Sequence, residues 1–342
     1  MGEKIAHHVK YNFFKPEVEE AKRVLGKGGL IRVLEQMLLI RHFEIRAESA
    51  YQQGRVGGFF HAYIGQEAVQ TAAVHAMGRD NNWWITTYRC HALAYLNGAT
   101  PNEMMAELYG KATGNAMGRG GSMHFYADRL LGGFGIVGGH LPVATGAAFS
   151  LKYQRQDGVA VCFLGDGAWV QGAVHESLNL ASLWNLPCIY VVENNRWGMG
   201  TAANRALCVQ PIAEHFAPAY GIKGYTLDGM DFIGCYGGFK HIYEEVRKTG
   251  RPVLVEAVTE RFRGHSISDP GLYRSKKELE VAKGRDPIQL FKGYLKKEEL
   301  LTEEAFERID NEQQGIVIDS MKFAEESPRP EPMTLEEDVF AP

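Results

Sequence analysis

The sequence predicts an α/β fold built on a parallel β-sheet with helices on both faces. Three observations carry this expectation. Continuous apolar runs occur at VAVCFLG (159–165), PCIYVVE (187–193) and PVLVEAV (252–258), and an unbroken run of that length marks a strand buried on both sides. Helical patterns alternate with the strands, which calls for right-handed crossovers between parallel neighbours. Two of the runs end in polar turns, Gly165-Asp166-Gly167 and Asn194-Asn195, at the carboxyl ends of strands where open α/β sheets bind their ligands.

The chain opens with a helix. From about Leu30 to Gln53, residues Leu34, Leu38, Phe43 and Ala47 recur near helical spacing, and Gly54 stops the run. A second helix covers Gly65 to Met77. Residues 110–139 concentrate many of the chain's 39 glycines. That stretch is too long for a mere connector and reads as a binding loop, because glycine lets backbone turn sharply or approach a ligand closely. Pro142 to Tyr153 is rich in small residues and helical. The first apolar strand follows, then a helix over Gln171 to Trp184, then the second strand and, later, the third. Asp286 to Ala324 is helical and charged, and the Pro- and Glu-rich tail from Ser327 to Pro342 wraps a surface or stays loose. The chain therefore divides into an N-terminal helical segment (1–55), an α/β domain that carries the site (56–285) and C-terminal helices with a tail (286–342).

Bulk properties narrow the class. The 342 residues are 45% hydrophobic and 23% charged, which suits one large globular domain or two small ones. A formal charge of −4 gives no electrostatic reason to bind nucleic acid or an anionic membrane. No apolar run reaches the roughly 18 residues of a spanning helix. Met1 to Lys10 is polar and does not read as a signal or transit peptide. The cysteines, Cys90, Cys162, Cys188, Cys208 and Cys235, are odd in number and form no C-x-x-C pair. They read as reduced thiols of a cytoplasmic protein and speak against a zinc site.

The strongest chemical signal is GDGA (165–168) followed, one βα unit later, by ENN (193–195). Asp166 at a strand end offers a carboxylate to a hard divalent cation. Its flanking glycines let backbone amides approach a phosphate, and the helix from Gln171 aims its positive end the same way. Asn195 can add an amide oxygen and the backbone near Trp197 a carbonyl, the oxygen set that magnesium favours. Alone, GDG would be a hairpin turn; the two halves together, each after an apolar strand, point to a metal-anchored diphosphate.

Six further segments occur in order: GGFFHAYIGQEA (57–68), TTYRCHA (86–92), GRGGSMHFY (118–126), GIVGGHLPVATG (135–146), LWNLPCIYVVENNRWGMGT (183–201) and RGHSISDPGLYR (263–274). With the two turns, they resemble the alpha chains of thiamine-diphosphate-dependent 2-oxo acid dehydrogenases over nearly all of residues 30–325. GGSMHFYAD and GIVGGHLP resemble the pyruvate branch; the sister enzymes acting on acetoin or branched-chain 2-oxo acids are the competing assignment. The resemblance implies the diphosphate-binding half of the thiamine-diphosphate-binding fold, with thiamine diphosphate and magnesium as cofactors. It implies that Tyr88 and Arg89 grip the diphosphate, and that the backbone of Gly135 and Val137 meets the aminopyrimidine. Asp166, Asn195 and the carbonyl of Trp197 match metal ligands, and Gly167 and Ala168 match further diphosphate contacts. His61 and His265 match active-site histidines, and Ala127 lies in a loop lining the same channel. Read by itself, the Arg89 fork suits a diphosphate, although an Arg after a Tyr is more often a surface charge. Among the twelve histidines, His124 is the next candidate, whereas His75, His175 and His241 sit in helical stretches and read as structural or solvated.

The implied reaction is oxidative decarboxylation of pyruvate, with the acetyl group passing to the lipoyl domain of a dihydrolipoyl acetyltransferase. Such enzymes need a carboxylate on the aminopyrimidine. Glu67 is a tempting source, but the family pattern places that Glu on a separate beta subunit, so an alpha2-beta2 assembly is expected and the chain alone should be inactive. Three departures stand out. Trp169 and Val170 replace small and polar residues expected beside the diphosphate, and Trp197 stands where Tyr is common. Ser266 and Ser268 match positions that include a regulatory phosphorylation site in animal enzymes, but the second such serine is absent and kinase control is not implied. A reading from another class, a phosphate-binding regulatory module built on the glycine-rich loop, has no Walker pattern to support it.

Overall fold

A computed structural model describes residues 9–17, 19–337 and 339. The reading of Met1 to Lys10 as free of a targeting signal falls mostly on residues outside these. Helix α1 (Glu19–Gln52) begins well before the apolar pattern does, because its first turns are polar and Gly26 breaks the helical geometry with φ 59°. Its later turns bury Leu30, Leu34, Met37, Leu38, Phe43 and Ala47. Helix α2 (Glu67–Met77) is buried almost all round. Strand β1 (Trp83–Thr87) follows, then α3 (His91–Leu96) and α4 (Pro101–Leu108), the last opened by a reciprocal Thr100–Glu103 cap with Pro101 in its first turn.

The glycine-rich stretch is not all loop. Strand β2 (Leu130–Phe134) lies inside it. Its two glycines hide it from any strand pattern, yet Gly133 is required: a Cβ there would sit 2.5 Å from the Met123 carbonyl oxygen. Helix α5 (Leu141–Tyr153), strand β3 (Ala160–Gly165), helix α6 (Gly172–Leu183) and strand β4 (Cys188–Asn194) fall where the sequence placed them. A short hairpin, β5 (Trp197–Gly198) and β6 (Thr201–Ala202), leads through α7 (Ala203–Ala206) and α8 (Ile212–Phe216) to β7 (Lys223–Asp228). Helix α9 (Phe232–Thr249) ends on left-handed Gly250, and β8 (Val253–Val258) is the third expected strand. Helices α10 (Lys276–Lys283), α11 (Pro287–Lys297) and α12 (Glu303–Glu326) complete the chain, and α12 packs on α1 and α4.

The six-stranded sheet runs β2-β1-β3-β4-β8-β7 and every pairing in it is parallel. Apolar clusters cover both faces, one against α1, α2 and α9 and the other against α5, α6 and α8. This is the expected α/β architecture. Register decides where chemistry can gather. Gly165 pairs with Glu193, and Asn194 with Val258, so the polar ends of β3 and β4 stand side by side at one sheet edge. No helix among the described residues is long and apolar enough to cross a membrane. All five cysteines are free thiols, four of them buried. The start of the tail is tied down: Lys111 donates to the Ser327 carbonyl at 2.7 Å, and Ala112 N–H to that of Pro328 at 3.0 Å.

Candidate functional site

The two polar turns meet at the carboxyl edge of the sheet. Asp166 opens a single 3₁₀ turn directly after β3 and is 2% exposed. Its Oδ2 has no hydrogen-bond partner, and burial pushes its pKa up to about 6. A buried carboxylate oxygen without a partner is costly, and a divalent cation is the partner such a group accepts. On the next strand Asn194 is fully buried and builds the turn that follows: its Oδ1 accepts from Arg196 N–H at 3.0 Å, and its Nδ2 donates to Glu256 at 2.7 Å. Asn195 Oδ1 in turn accepts from Trp197 N–H at 3.2 Å, and Asn195 Nδ2 reaches Gln66 at 3.4 Å. The backbones carrying Asp166 and Trp197 cross closely. A Cβ on Gly167 would lie 2.9 Å from the Cα of Gly198. The fold thus brings the Asp166 and Trp197 backbones together beside Asn195, residues that carry hard oxygen donors of the kind magnesium takes. Among the described residues no cluster of three His, Cys, Asp or Glu could hold a metal.

A second group lies beside this turn. The rings of His61 and Tyr88 are 4.4 Å apart, those of His61 and His265 5.0 Å, and those of Tyr88 and His265 5.6 Å. Burial, then the charge of Arg89, lowers the pKa of His61 to about 2 and that of His265 to about 4. Both imidazoles are neutral near pH 7, and His61 Nδ1 has no partner. Arg89 is buried beneath them. Its two terminal nitrogens donate to the carbonyls of Ala62 and His265, each at 2.6 Å, and burial lowers its pKa to about 10. Two of its five N–H donors are thereby engaged, and the bond to the His265 carbonyl ties this positive charge to the His265 loop. The His265 loop is fixed by its own bonds. Asp269 accepts from His265 N–H at 2.5 Å, Gly271 N–H at 2.8 Å and the Tyr273 hydroxyl at 2.6 Å, and Ile267 N–H donates to the Phe60 carbonyl at 3.0 Å.

Other expected site residues sit as follows. Gly135 and half-exposed Val137 lie in the turn after β2, at the same carboxyl edge, with His124 against Gly135. Gly167 and buried Ala168 lie in the Asp166 turn. Ala127 is different: it bridges to Leu130 at the amino end of β2 and lines a polar cleft of about 510 Å³ shared with Arg79, Asn97 and Asp128. None of the other candidates lines that cleft. Trp169, expected beside the diphosphate, points instead into the core, 1% exposed and edge-on to His175 and Phe216 at 5.6 and 5.1 Å. Glu67 is spent on structure, paired with Arg41 at 2.5 Å and accepting from Gly65 N–H. His75, His175 and His241 lie in helices and bond or pack against Gln36, Tyr220 and Tyr225.

Three residues of this region carry no sequence signal of their own. Gln66 is 1% exposed with an unpartnered Nε2 and touches Asn195. Glu193, inside the ENN motif, bonds the Tyr63 hydroxyl and Gln70 and has its pKa raised by burial to about 7. Arg261, 1% exposed, ties the His265 loop to the turn after β4 by donating to the carbonyls of Arg263 and Met199 and to the Tyr273 hydroxyl. Gln66 and Glu193 stood within quoted segments, GGFFHAYIGQEA and ENN, but nothing there marked them out; burial of all three follows from tertiary packing.

Residues 35–333 match the family described as dehydrogenase E1 component. The chain is 41% identical over 334 residues to the pyruvate dehydrogenase E1 component subunit alpha of Rickettsia felis, covering 97% of this chain and 99% of that one. It is 41% identical over 313 residues to the protein of the same name from Rhizobium meliloti, covering 91% and 89%. With the mitochondrial subunit alpha of Kluyveromyces lactis it shares 36% identity over 330 residues, covering 95% and 79%.

Proposed function

The chain belongs to the dehydrogenase E1 component family, whose members depend on thiamine diphosphate, and from that premise we propose how its residues serve the oxidative decarboxylation of pyruvate as the alpha subunit of the decarboxylating enzyme. The observation that carries the residue assignment is the buried, unpartnered Asp166 Oδ2 beside Asn195 at adjoining strand ends. Asp166, Asn195 and the Trp197 carbonyl hold magnesium. Tyr88, the free donors of Arg89 and the amides of Gly167 and Ala168 hold the diphosphate, and the backbone of Gly135 and Val137 holds the aminopyrimidine. When bound, thiamine diphosphate supplies a carbon nucleophile for the 2-oxo group and an electron sink for loss of carbon dioxide.

The protein's own contribution is to bind, orient and move protons. His61 and His265 are neutral at physiological pH, so each offers one N–H and one lone pair to the oxo acid and can accept a proton without first losing one. Buried His61 and partly buried His265 limit the access of water to the reacting carbon. Arg89 holds His265 through its carbonyl and keeps positive charge where the diphosphate sits. Glu67 is committed to Arg41, and we infer, as the family pattern implies, that the activating carboxylate comes in trans. An alpha subunit implies a beta partner; we infer an alpha2-beta2 assembly with the site at the alpha–beta interface. We further infer delivery of the acetyl group to the lipoyl domain of dihydrolipoyl acetyltransferase, and a reducing, cytoplasmic setting in keeping with five free thiols.

The test is calorimetric titration of thiamine diphosphate into the assembled alpha and beta chains with magnesium. Asp166→Ala should lose measurable binding while keeping its assembly and secondary structure. Parent-like affinity in that variant would remove Asp166 from the metal.

A further inference from the structure

We propose that Glu107 is a positioning residue of the cofactor pocket: its carboxylate is the internal anion around which the glycine-rich loop folds, and through that loop it sets His124 against Gly135. This rests on the reading of Gly135 as a cofactor contact. Glu107 lies in the last turn of α4 and is fully buried. Among the described residues it has no cationic partner. Instead, four backbone amides converge on it. Ala116 and Gly118 donate to Oε2 at 2.9 Å each, and Gly120 and Gly121 donate to Oε1 at 2.7 and 3.0 Å. Converging amides of this kind make an anion-binding nest. Left-handed backbone at Met117, Gly118 and Gly121, with φ of 56°, 75° and 58°, turns the amides inward. Gly114 must lack a side chain, since a Cβ there would lie 2.3 Å from Glu107 Oε2. These glycines therefore serve an anion the chain carries itself, and their amides are not free for a phosphate.

The loop transmits this geometry to the site. Gly120, whose amide Glu107 holds, presents its carbonyl to His124 Nδ1 at 3.0 Å. A carbonyl only accepts, so the proton sits on Nδ1 and Nε2 keeps a free lone pair in the neutral ring. A Cβ on Gly135 would be 3.5 Å from that Nε2. Between the two, His91 Nε2 donates to the Ser122 carbonyl at 2.9 Å, backed by Glu44 on Nδ1 at 2.9 Å. Glu107 itself does not reach the carboxyl edge; it acts through residues 116–124.

The experiment uses the assembled alpha and beta chains carrying Glu107→Ala or Glu107→Gln. Three quantities are read: thiamine diphosphate affinity with magnesium, by fluorescence titration; the rate of tryptic cleavage after Arg119 without cofactor; and kcat against KM for the cofactor. Glu107→Ala should open the loop to cleavage and weaken cofactor binding about tenfold or more, the ordering lost with charge-assisted hydrogen bonds. Because the vacated nest still presents four amides, added formate should restore both, and chloride at equal ionic strength should not. Parent-like cleavage and affinity would overturn the proposal, as would losses that formate leaves untouched. If Glu107→Ala does not assemble, the isosteric Glu107→Gln decides: faster cleavage with a raised cofactor KM at nearly unchanged kcat supports positioning, and parent-like behaviour overturns it. A parent assembly that fails to bind thiamine diphosphate sinks the reading of the site, while formate-dependent cleavage still judges Glu107.

Discussion

Replacing Asp166 with Asn should stabilise the cofactor-free protein while destroying its cofactor site. Burial lifts the Asp166 pKa from 3.8 to about 6. Each unit is about 1.4 kcal/mol, so keeping this carboxylate ionised at neutral pH costs the folded state roughly 3 kcal/mol. The folded carboxyl binds its proton more tightly than the unfolded one. Its contribution to stability is therefore full below the unfolded value of 3.8 and is lost as pH rises through about 6. Asparagine keeps an acceptor oxygen in the turn and removes the charge. For a chain of this size, 3 kcal/mol corresponds to a Tm rise on the order of 4 °C. The assay is thermal unfolding of the stripped alpha–beta assembly near pH 7.5, repeated with magnesium and thiamine diphosphate. The parent should gain stability from the ligands and the variant should not. A stripped variant no more stable than the parent would mean that the Asp166 charge does not burden the folded protein, and equal ligand-induced gains would mean that Asp166 does not hold the ligands.

Further outcomes follow from the same structure. The lowered pKa values of His61 and His265, about 2 and about 4, place their protonation below pH 5. Titration by proton NMR should show both rings neutral down to that point, and their contribution to stability should be present above pH 6.5 and lost as pH falls toward 4. A His265 ring titrating near 6.5 would count against its packed setting. Trp169→Ala should cost about 3–5 kcal/mol of stability by emptying a core site, measured by urea unfolding, with cofactor KM unchanged; a raised KM at unchanged stability would return Trp169 to the diphosphate. Pyruvate should exceed 3-methyl-2-oxobutanoate in kcat/KM, with about 1–3 kcal/mol of discrimination per methylene; reversal in steady-state assays would assign the chain to branched-chain substrates.

Sequence pattern revealed what one-dimensional periodicity can carry. Strands β3, β4 and β8 are buried on both faces and read as apolar runs, and the polar turns closing β3 and β4 pointed to Asp166 and Asn195. Strand β2 was hidden because Gly132 and Gly133 answer to tight tertiary neighbours, Tyr126 and Met123, rather than to strand propensity. Helix α9 was hidden for the same reason: Gly237 and Gly238 make room for Pro16 and Leu227. The polar first turns of α1 carried no apolar period. At the site, the family resemblance brought in Tyr88, His61 and His265 but could not show their mutual packing. Nor could it show that Arg89 is half engaged by carbonyls, that Ala127 stands at the opposite sheet edge, or that the glycine-rich nest is filled from within. Those facts depend on tertiary packing, and the burial of Glu107 that fills the nest is decided by distant parts of the chain.

Whether this magnesium- and diphosphate-binding half is completed by a partner's carboxylate is decided by carbon dioxide release from carboxyl-labelled pyruvate with an artificial electron acceptor. The purified chain supplied with magnesium and thiamine diphosphate should release none, and addition of the beta subunit should restore turnover that Asp166→Ala abolishes. Decarboxylation by the chain alone would contradict the account, because the activating carboxylate would then lie within these 342 residues.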